Sequence, residues 1–466
     1  MLQPKFFAAT DVGRQREHNE DSYLVEPRLG LFIVADGMGG HAAGEVASQM
    51  AVKEVARVLR GNSDVFDRYR DSPDDEAREE ILHVLEHSVQ SACSTIFHRS
   101  QQESDKRGMG TTCTVMIFVR DRVFVAHVGD SRLYLLRDKQ VHQLTEDHSL
   151  VNELVRRGRL KREEIDSSPY AKFKNAVTRA VGAYETVEVE AADYEVVVGD
   201  QFLLCSDGLH AYLEPKDMPQ LLSAEDIADV PRTLVDLANS GGGHDNITAI
   251  VVRLEDSQSQ QGAERASDLA NRIDVLKSMR LFQGLVYPEV MRLLNVMKVH
   301  RFANGQVLIE EDTVGDSLFV LLSGKVKLQK GGADIATLSR GAHIGEMSLV
   351  DQGLRSATAI ADGEAAALVL LRRDFEAILR TESVLAQKIL WSFLQELTAR
   401  LRKTTQQLSD VQLAAEAIDL SNDILEESTA TDVALPVRQP LGKLAKAPAA
   451  TTPTTQAPKP SKPGKP

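Results

Sequence analysis

Apolar runs of strand length recur through the first half of the chain, and an aspartate marks the boundary of four of them. Asp36, Asp130 and Asp207 closely follow such runs, and Asp245 stands just before another. A strand end holds a side chain rigidly at the rim of a sheet, so strands that share one sandwich would bring these carboxylates together. Taken singly, Asp36-Gly37 and Asp207-Gly208 are each better explained as turns. The repetition favours a shared site.

Carboxylates gathered in this way need a counter-charge. Close negative charges repel one another and do not tolerate burial unless cations neutralise them. Hard oxygen ligands select Mg²⁺ or Mn²⁺. Two such ions close together can activate a water molecule and hold a phosphoryl group for in-line attack. The pattern therefore predicts a divalent-metal site suited to phosphoryl chemistry.

The first part of the chain, residues 1–254, is expected to be one domain that combines sheets and helices. Polar, alanine-containing stretches at 44–59 and 74–97 indicate amphipathic helices packed outside the sheets. The predicted strands are the apolar runs at 31–35, 113–119, 123–128, 132–136, 202–205 and 247–254.

The remaining chain changes character three times. Residues 255–271, which include a stretch rich in Ser, Gln and Glu, are predicted to be a linker. A second domain is expected at 272–409, where closely spaced turn signals indicate an all-β roll with flanking helices. Residues 410–466 are expected to form a mostly disordered tail rich in Ala, Pro, Thr and Lys.

A helical pattern ends the second domain, and leucines repeat along it at intervals of four and three. They are Leu390, Leu394, Leu397, Leu401 and Leu408. The favoured interpretation is a helix packed within its own domain. The alternative is the seam of a homodimer.

Charge and hydropathy exclude several classes of protein. A net charge of −14 argues against general binding to nucleic acids or anionic membranes. No apolar run approaches the roughly 18 residues of a membrane helix, and the N-terminus lacks the pattern of a secretion signal. Cys93, Cys113 and Cys205 are widely spaced, which is typical of buried free thiols in a reducing compartment. We expect a cytoplasmic protein.

Seven segments in the first domain occur together in a specific order. They lie at 10–21, 34–41, 108–112, 128–132, 144–150, 206–208 and 245–248. This set resembles the metal-dependent protein phosphatase family, type 2C, in its bacterial form. The resemblance covers residues 5–254 and implies a four-layer α-β-β-α sandwich, so the overall fold class is α+β. It also implies hydrolysis of phosphoserine and phosphothreonine in proteins.

The resemblance implies a set of metal ligands for two or three Mn²⁺ or Mg²⁺ ions. Asp36, Asp207 and Asp245 should hold the first ion. Asp36 and the carbonyl of Gly37 should hold the second. Asp130, together with Asp207, matches a third position found in bacterial members.

Four further residues match other positions of the family. Glu20 and Asp21 resemble partners of metal-bound water molecules. Arg16 matches the arginine that grips the substrate phosphate, since a guanidinium can bind two phosphate oxygens at once. His41 is expected either to act as general acid or to have a structural role at a helix start.

Two residues depart from the family pattern, and one segment resembles its flap. His127 stands before Val-Gly-Asp where relatives often carry a small polar residue. His210 follows Ser-Asp-Gly-Leu where an acidic residue is frequent. Residues 147–182 resemble the flap and are expected to help select the phosphopeptide.

The second domain carries a short segment with the chemistry of a cyclic-phosphate site. It resembles the phosphate-binding cassette of cyclic-nucleotide-binding domains in catabolite-activator proteins and kinase regulatory subunits. Glu346 should hold the ribose 2′-hydroxyl and Arg355 the phosphate, with contacts added by Gly345 and Ser356. The alternative is a degenerate roll that is kept for its shape.

These features together predict a protein phosphatase that is regulated by cAMP or cGMP. Its partners would be the nucleotide and a phosphoprotein, for example the product of a serine/threonine kinase. One alternative is a non-enzymatic sensor whose phosphatase-like domain binds phosphoproteins. Another is an active phosphatase whose roll serves only for docking or dimerisation.

Overall fold

A computed structural model describes residues 2–39, 43–174, 176–256 and 259–429. The chain up to Leu397 forms one compact unit, and a second unit begins at Thr398. The first unit contains both the sandwich and the roll that the sequence predicts.

The first region is built from two antiparallel sheets. Its strands are β1 Leu2–Asp11, β2 Asp21–Glu26, β3 Leu31–Met38, β4 Gly110–Thr111, β5 Cys113–Val119, β6 Arg122–Val128, β7 Arg132–Arg137, β8 Gln140–Gln143, β9 Glu190–Glu195, β10 Gln201–Cys205 and β11 Ile247–Asp256. One sheet has the order β1-β11-β10-β7-β8, and the other has the order β2-β3-β5-β6-β9 with β4 paired to β3.

Helices cover the outer faces of both sheets. The helices of this region are α1 Ala43–Gly61, α2 Ser63–Asp71, α3 Asp75–Gln102, α4 Leu150–Arg156, α5 Asp207–His210, α6 Met218–Leu222 and α7 Val230–Ser240. Helices α1 to α3 pack on one sheet, and α5 to α7 pack on the other. Alternate strand residues explain the layers, because successive side chains point to opposite faces. Phe32 and Val34 pack between the sheets, whereas Leu31 and Ile33 pack against α1 and α3. The predicted four-layer sandwich is confirmed.

The second region forms the predicted roll. Its strands are β12 Lys298–Phe302, β13 Val307–Ile309, β14 Ser317–Ser323, β15 Lys325–Lys330, β16 Ala333–Ser339, β17 His343–Ile344, β18 Thr358–Ala361 and β19 Ala365–Leu371. They pair as two sheets, β12-β19-β14-β17 and β13-β18-β15-β16. Phe319, Leu321, Val326 and Ala367 contribute to the apolar core of the roll.

Helices flank the roll on both sides in the sequence. They are α8 Ser259–Ser278, α9 Tyr287–Val296, α10 Arg372–Thr381 and α11 Ser383–Thr429. Most of the predicted linker belongs to α8, whose Gln, Ala and Glu residues are good helix formers. Leu276 of α8 and Val290 of α9 lie in the same apolar cluster as Phe202 of β10. One continuous core therefore joins the sandwich to the helices that precede the roll.

The end of the chain differs from the expectation in two ways. Helix α11 continues to Thr429, beyond the predicted start of the tail at 410, and residues 430–466 lie outside the described part of the chain. One face of α11 is buried through Leu385 and Ile389. The leucine repeat is not on that face, because its members are between 42% and 68% exposed. The interpretation that these leucines pack within their own domain is wrong.

Two smaller expectations concern membranes and thiols. None of the helices that the structure describes is long and apolar enough to cross a bilayer. The three cysteines are free and buried, which confirms the prediction.

Candidate active site and nucleotide pocket

The strand-end aspartates meet at one rim of the sandwich. Asp36 lies near the end of β3, Asp207 begins α5 directly after β10, and Asp245 stands just before β11. The strands β10 and β11 are neighbours in one sheet, whereas β3 belongs to the other. The carboxyls of Asp36 and Asp207 are close enough to share a hydrogen bond when one of them is protonated. Strand ends from both sheets are thus close enough for direct contact.

Burial and like charge control the protonation of these carboxyls. Burial, followed by the charges of Asp21, Asp207, Asp130 and Asp245, raises the pKa of Asp36 well above its ordinary value. Burial and the charge of Asp245 also raise the pKa of Asp207. A cation among these groups would favour their charged forms. The electrostatics of the rim therefore favour a positively charged ligand.

Asp21 adds a fifth carboxyl to the rim. It faces Asp36 across the β2–β3 ladder, and its Oδ2 accepts hydrogen bonds from Ser206 Oγ at 2.7 Å and Thr248 Oγ1 at 2.6 Å. Burial raises the pKa of Asp21 to about 7. Its Oδ1 is buried without a protein partner, and so is Oδ1 of Asp207. Buried orphan oxygens are uncommon, and these two suit a hard cation.

The rim gathers suitable donors but does not arrange them as a finished ligand set. Within the described ranges, no three Asp, Glu, His or Cys side chains are placed to hold one ion together. The donor chemistry and the orphan oxygens nevertheless fit a divalent cation.

Asp130 reaches the rim from a tight turn after β6 that histidines support. His127 Nε2 lies 3.1 Å from the carbonyl oxygen of Gly129. The backbone N–H of His148 donates to the same carbonyl at 2.7 Å, and its Nδ1 accepts from Gly129 N–H at 3.1 Å. His210 Nε2 donates to the carbonyl of Asp130 at 3.0 Å. The two residues that depart from the family pattern thus both brace this turn.

The protonation of these groups follows from burial. Burial and the charge of Asp207 raise the pKa of Asp130 to about 7. Burial lowers the pKa of His127 and of His210 to about 4 in each case. Both rings are therefore neutral at physiological pH and act as hydrogen-bonding supports.

Arg16 and Glu20 border the rim. Arg16 is 47% exposed and its Nη2 donates to Asp245 Oδ2 at 2.7 Å. This places a solvent-accessible guanidinium directly beside the carboxylates. The backbone N–H of Glu20 donates to Asn246 Oδ1 at 2.8 Å, and burial raises the pKa of its carboxyl despite the opposing charge of Arg16.

Gly37 allows the backbone to pass between Glu20 and helix α1. A Cβ at this position would lie 2.1 Å from the carbonyl oxygen of Gly44 and 2.6 Å from that of Glu20. Both neighbours are backbone atoms that cannot rotate away, so only glycine fits.

The other predicted catalytic residue, His41, lies outside the described residues.

The nucleotide segment of the roll is built around a buried guanidinium. Arg355 is 7% exposed, and its Nη2 donates to the carbonyl oxygen of Ser317 at 2.8 Å. Its Nη1 is buried without a protein partner. Burial lowers the pKa of Arg355, although the charge of Asp316 opposes this. A buried cation with an unpartnered nitrogen favours the binding of an anion.

Glycine backbones line this guanidinium. Gly345 has a φ of +86°, and a Cβ there would lie 2.2 Å from Arg355 Nη1. A four-residue 3-10 turn, Glu346–Leu349, follows Gly345, and Glu346 is half-buried at its start. Ser356 is exposed. The structure therefore brings Gly345 and Arg355 into contact and leaves Ser356 at the surface.

Sequence reasoning missed the residue that holds this segment in place. Arg372 donates from Nε to the carbonyl of Ser348 at 2.6 Å and from Nη2 to that of Gly315 at 2.7 Å. Nη2 also donates to the carbonyl of Asp351. The acceptors are backbone atoms far away in sequence, so no local pattern signals this role.

Two family models match the two regions separately. Residues 12–240 match the model for protein phosphatase 2C, and residues 299–382 match that for the cyclic nucleotide-binding domain. The serine/threonine phosphatase stp of Listeria monocytogenes is 38% identical over 258 residues, which cover 54% of this chain and 97% of the relative. The chain belongs to the protein phosphatase 2C family of serine/threonine protein phosphatases.

Other members of the family match the same share of this chain, 54%. The protein phosphatase PhpP of Streptococcus pneumoniae is 36% identical over 255 residues and is covered to 98%. The phosphatase PstP of Mycobacterium tuberculosis is 37% identical over 252 residues, but the match spans only 45% of its length. A solved structure of the PstP catalytic domain with two manganese ions is 36% identical, covers 55% of this chain and 100% of that chain, and has a TM-score of 0.46.

Proposed function

We propose that this chain is a metal-dependent phosphatase acting on phosphoserine and phosphothreonine in proteins, and that a cyclic nucleotide regulates it. In this proposal residues 1–254 are the catalytic domain and residues 272–409 the regulatory one. The observation that carries the proposal is the rim of buried aspartates with raised pKa values and two orphan oxygens. Such a rim is stable at neutral pH when divalent cations lie among the carboxylates.

Each residue of the rim has a part in the proposed reaction. Asp36, Asp207 and Asp245 would hold one ion, Asp36 and the Gly37 carbonyl a second, and Asp130 with Asp207 a third. When bound, Mn²⁺ or Mg²⁺ polarises the phosphoryl oxygens and lowers the pKa of a coordinated water molecule. Glu20 and Asp21 would orient such water molecules by accepting hydrogen bonds.

Arg16 would bind the substrate phosphate. Its guanidinium is accessible and lies 2.7 Å from Asp245, so a phosphate that reaches the rim meets a positive charge at its edge. A bidentate guanidinium contact would orient the phosphoryl group. The proposed general acid, His41, is assigned by its position in the family motif alone.

The test is hydrolysis of a phosphothreonine peptide and of p-nitrophenyl phosphate by the chelator-treated full chain, with and without Mn²⁺. The proposal expects turnover that depends on Mn²⁺ and is lost in Asp207→Asn. Asp226→Asn is the matched control, because Asp226 is an exposed carboxylate that pairs with Lys5. Tight binding of the phosphopeptide without hydrolysis at any Mn²⁺ concentration would favour the non-enzymatic sensor.

The proposed ligand of the roll is cAMP or cGMP. The cyclic phosphate would pair with the buried Nη1 of Arg355, and Glu346 would accept a hydrogen bond from the ribose 2′-hydroxyl. Gly345 and Ser356 would border the phosphate. Calorimetry with each nucleotide tests this, with Arg355→Ala as the disrupting variant and Arg373→Ala, which changes an exposed arginine, as the control. Absence of heat from both nucleotides would favour a roll used for docking.

We also propose that a second copy of this chain covers the leucine repeat of α11. Leu394, Leu397, Leu401 and Leu408 keep the alternating spacing of a coiled-coil seam and are exposed. An identical stripe on a second copy is complementary by symmetry. Light scattering should show a dimer that Leu401→Glu converts to a monomer and that Gln395→Glu, on an exposed position of the same helix, leaves intact. A monomeric wild type would contradict this.

A further inference from the structure

Helix α9 packs against the edge of the sandwich through a buried polar contact. Tyr287 stacks on His142 of β8 with ring centroids 3.9 Å apart and planes at 12°. Its hydroxyl accepts a hydrogen bond from Arg137 Nη1 at 2.5 Å. Arg137 also donates from Nε to Asp200 Oδ1 at 2.7 Å, and both charged groups are buried. A buried pair with its hydrogen bonds satisfied fixes the geometry of the contact.

Strand β9 makes the neighbouring contacts with α8 and α9. Asn295 Nδ2, at the end of α9, donates to the carbonyl oxygen of Asp193 at 2.9 Å, and its Oδ1 accepts from Arg122. Arg272 of α8 donates to both carboxylate oxygens of Glu195 at 2.9 Å and 3.0 Å. Helices α8 and α9 therefore contact the edge strand β9 at Glu195 and Asp193.

The other end of β9 reaches the turn of Asp130. Glu190 opens the strand, and its Oε1 lies 3.2 Å from His148 Nε2. Because His148 Nδ1 accepts from the N–H of Gly129, a proton on Nε2 can be donated to Glu190, and Arg179 Nη1 also lies 3.2 Å from Nε2. Burial alone would raise the pKa of Glu190, but its hydrogen bond with His148 leads the interactions that lower it to about 2.

Helix α9 also contacts the helices that follow the roll. Arg292 donates from Nη1 to Glu382 Oε2 at 2.7 Å, at the junction between α10 and α11. Glu289 accepts from Lys388 of α11 at 2.7 Å and 2.9 Å. The positive charge of Arg292 also acts on Glu190. Helix α9 thus contacts both the helices that follow the roll and strand β9, whose first residue contacts His148.

We propose that β9 transmits the state of the nucleotide-binding region to the metal-binding rim, with Glu190 and His148 as the positioning residues for Asp130. The proposal rests on the proposed regulation by a cyclic nucleotide. A shift of the α10–α11 junction moves Arg292, α9 carries this to β9, and Glu190 changes the orientation of the His148 ring that supports the Gly129–Asp130 turn. Packed groups and hydrogen bonds can carry coupling between distant sites, and these contacts join the α10–α11 junction to the turn of Asp130.

The positioning role can be tested without any nucleotide. Glu190→Ala removes the acceptor of His148 Nε2–H, whereas Glu190→Gln keeps an acceptor and removes the charge. We expect Glu190→Ala to raise the Mn²⁺ concentration for half-maximal activity by about tenfold with the substrate KM unchanged, as for other groups that orient metal ligands. Glu190→Gln should restore the Mn²⁺ requirement to within about threefold of the wild type. An unchanged Mn²⁺ requirement in Glu190→Ala overturns the positioning role.

The coupling role needs both the nucleotide affinity and the activity of the full chain. Arg292→Met keeps the length of the side chain and removes its pair with Glu382. Lys298→Met is the matched control, since it removes an exposed ion pair between the roll and Asp75 of α3 that does not involve β9. We expect Arg292→Met to bind cAMP or cGMP with wild-type affinity and to lose most of the change in activity that the nucleotide causes in the wild type and in Lys298→Met.

The outcomes separate this inference from the function it rests on. If the wild type binds neither nucleotide, the proposed regulation is wrong and the coupling falls with it, whereas the Mn²⁺ test of Glu190 still stands. If the wild type binds and responds, but Arg292→Met responds equally, the regulation is right and the route through α9 and β9 is wrong.

Discussion

The two candidate sites are opposite in charge and alike in design. The rim of the sandwich holds buried carboxyls whose pKa values are raised, and two of their oxygens have no protein partner. The pocket of the roll holds a buried guanidinium with one unpartnered nitrogen. By contrast, Arg137 and Asp200 are equally buried but satisfy each other. At these two sites a buried charge is left incomplete, and the sign of that charge indicates the sign of the ligand that would complete it.

The sites also differ in how the chain builds them. The nucleotide pocket brings together a short cassette, Gly345 to Arg355, with Ser317 of one neighbouring strand. The rim needs strand ends from two sheets, and Asp21 contacts Ser206 and Thr248 across long sequence separations. We therefore expect a substitution that adds volume at the rim to affect the whole fold more than one that adds volume at the pocket.

The largest effect is expected from a substitution that disrupts only the rim of carboxylates. Asp36→Asn removes one of the mutually repelling carboxylates and also an anionic ligand. We expect the phosphatase activity to fall by about a thousandfold or more, because the first and second proposed ion-binding sites share this group. The melting temperature in chelator should not fall, since a neutral amide replaces a carboxyl whose charged form is disfavoured by burial and by neighbouring carboxyls. Activity near that of the wild type would contradict the metal assignment.

A matched pair of glycine substitutions sharpens the comparison. In Gly37→Ala the new Cβ meets backbone atoms, at 2.1 Å for the carbonyl oxygen of Gly44, so we expect a loss of about 1–3 kcal/mol in the free energy of unfolding. In Gly345→Ala the new Cβ meets the guanidinium of Arg355 at 2.2 Å, and the positive φ adds strain of about 1–2 kcal/mol.

The two variants should therefore differ in what they affect most. Gly345→Ala should lower the affinity for the nucleotide in calorimetry, while Gly37→Ala should lower the Mn²⁺-dependent activity and the denaturation midpoint. Equal loss of nucleotide affinity in both variants would show that the sites are not built independently.

A smaller effect concerns the contact between the regions. Burial, together with the charges of Lys277 and Arg137, lowers the pKa of His142 to about 4, below the ordinary value of 6.5. The unfolded chain therefore takes up the proton first as the pH falls. The contribution of His142 to stability is complete above about pH 6.5 and is lost as the pH falls toward 4.

His142→Phe keeps a ring against Tyr287 and removes the titration. Urea denaturation at several pH values should show a free energy of unfolding that falls less steeply between about pH 6.5 and 4 than in the wild type. Identical slopes in the two proteins would mean that the His142 ring is not buried against α9.

The strands and the charged groups of the sites were predictable because their signals are local. Residues 113–119 form an uninterrupted apolar run, and the structure places β5 on those same residues. The aspartates at run boundaries are likewise visible in the sequence, since the rim of a sheet is where a strand must end. Arg355 was found through its spacing from Glu346.

The contacts that join the regions were not predictable in this way. The polar sequence of helix α8 predicts a linker. Its apolar residues, such as Leu269 and Leu276, pack against other residues only in the folded core. Glu190 and His148 lie far apart in sequence, and their contact depends on β9 lying next to β6. Long-range pairing of this kind leaves no periodic trace in one sequence.

The most direct test of the central claim is calorimetric titration of Mn²⁺ into the chelator-treated full chain. If the carboxylates at the rim are held for divalent ions, the wild type should bind at least two equivalents, and the double variant Asp36→Asn, Asp207→Asn should bind none at the same concentrations. Saturable binding that persists unchanged in the double variant, or no binding by the wild type, would contradict the account.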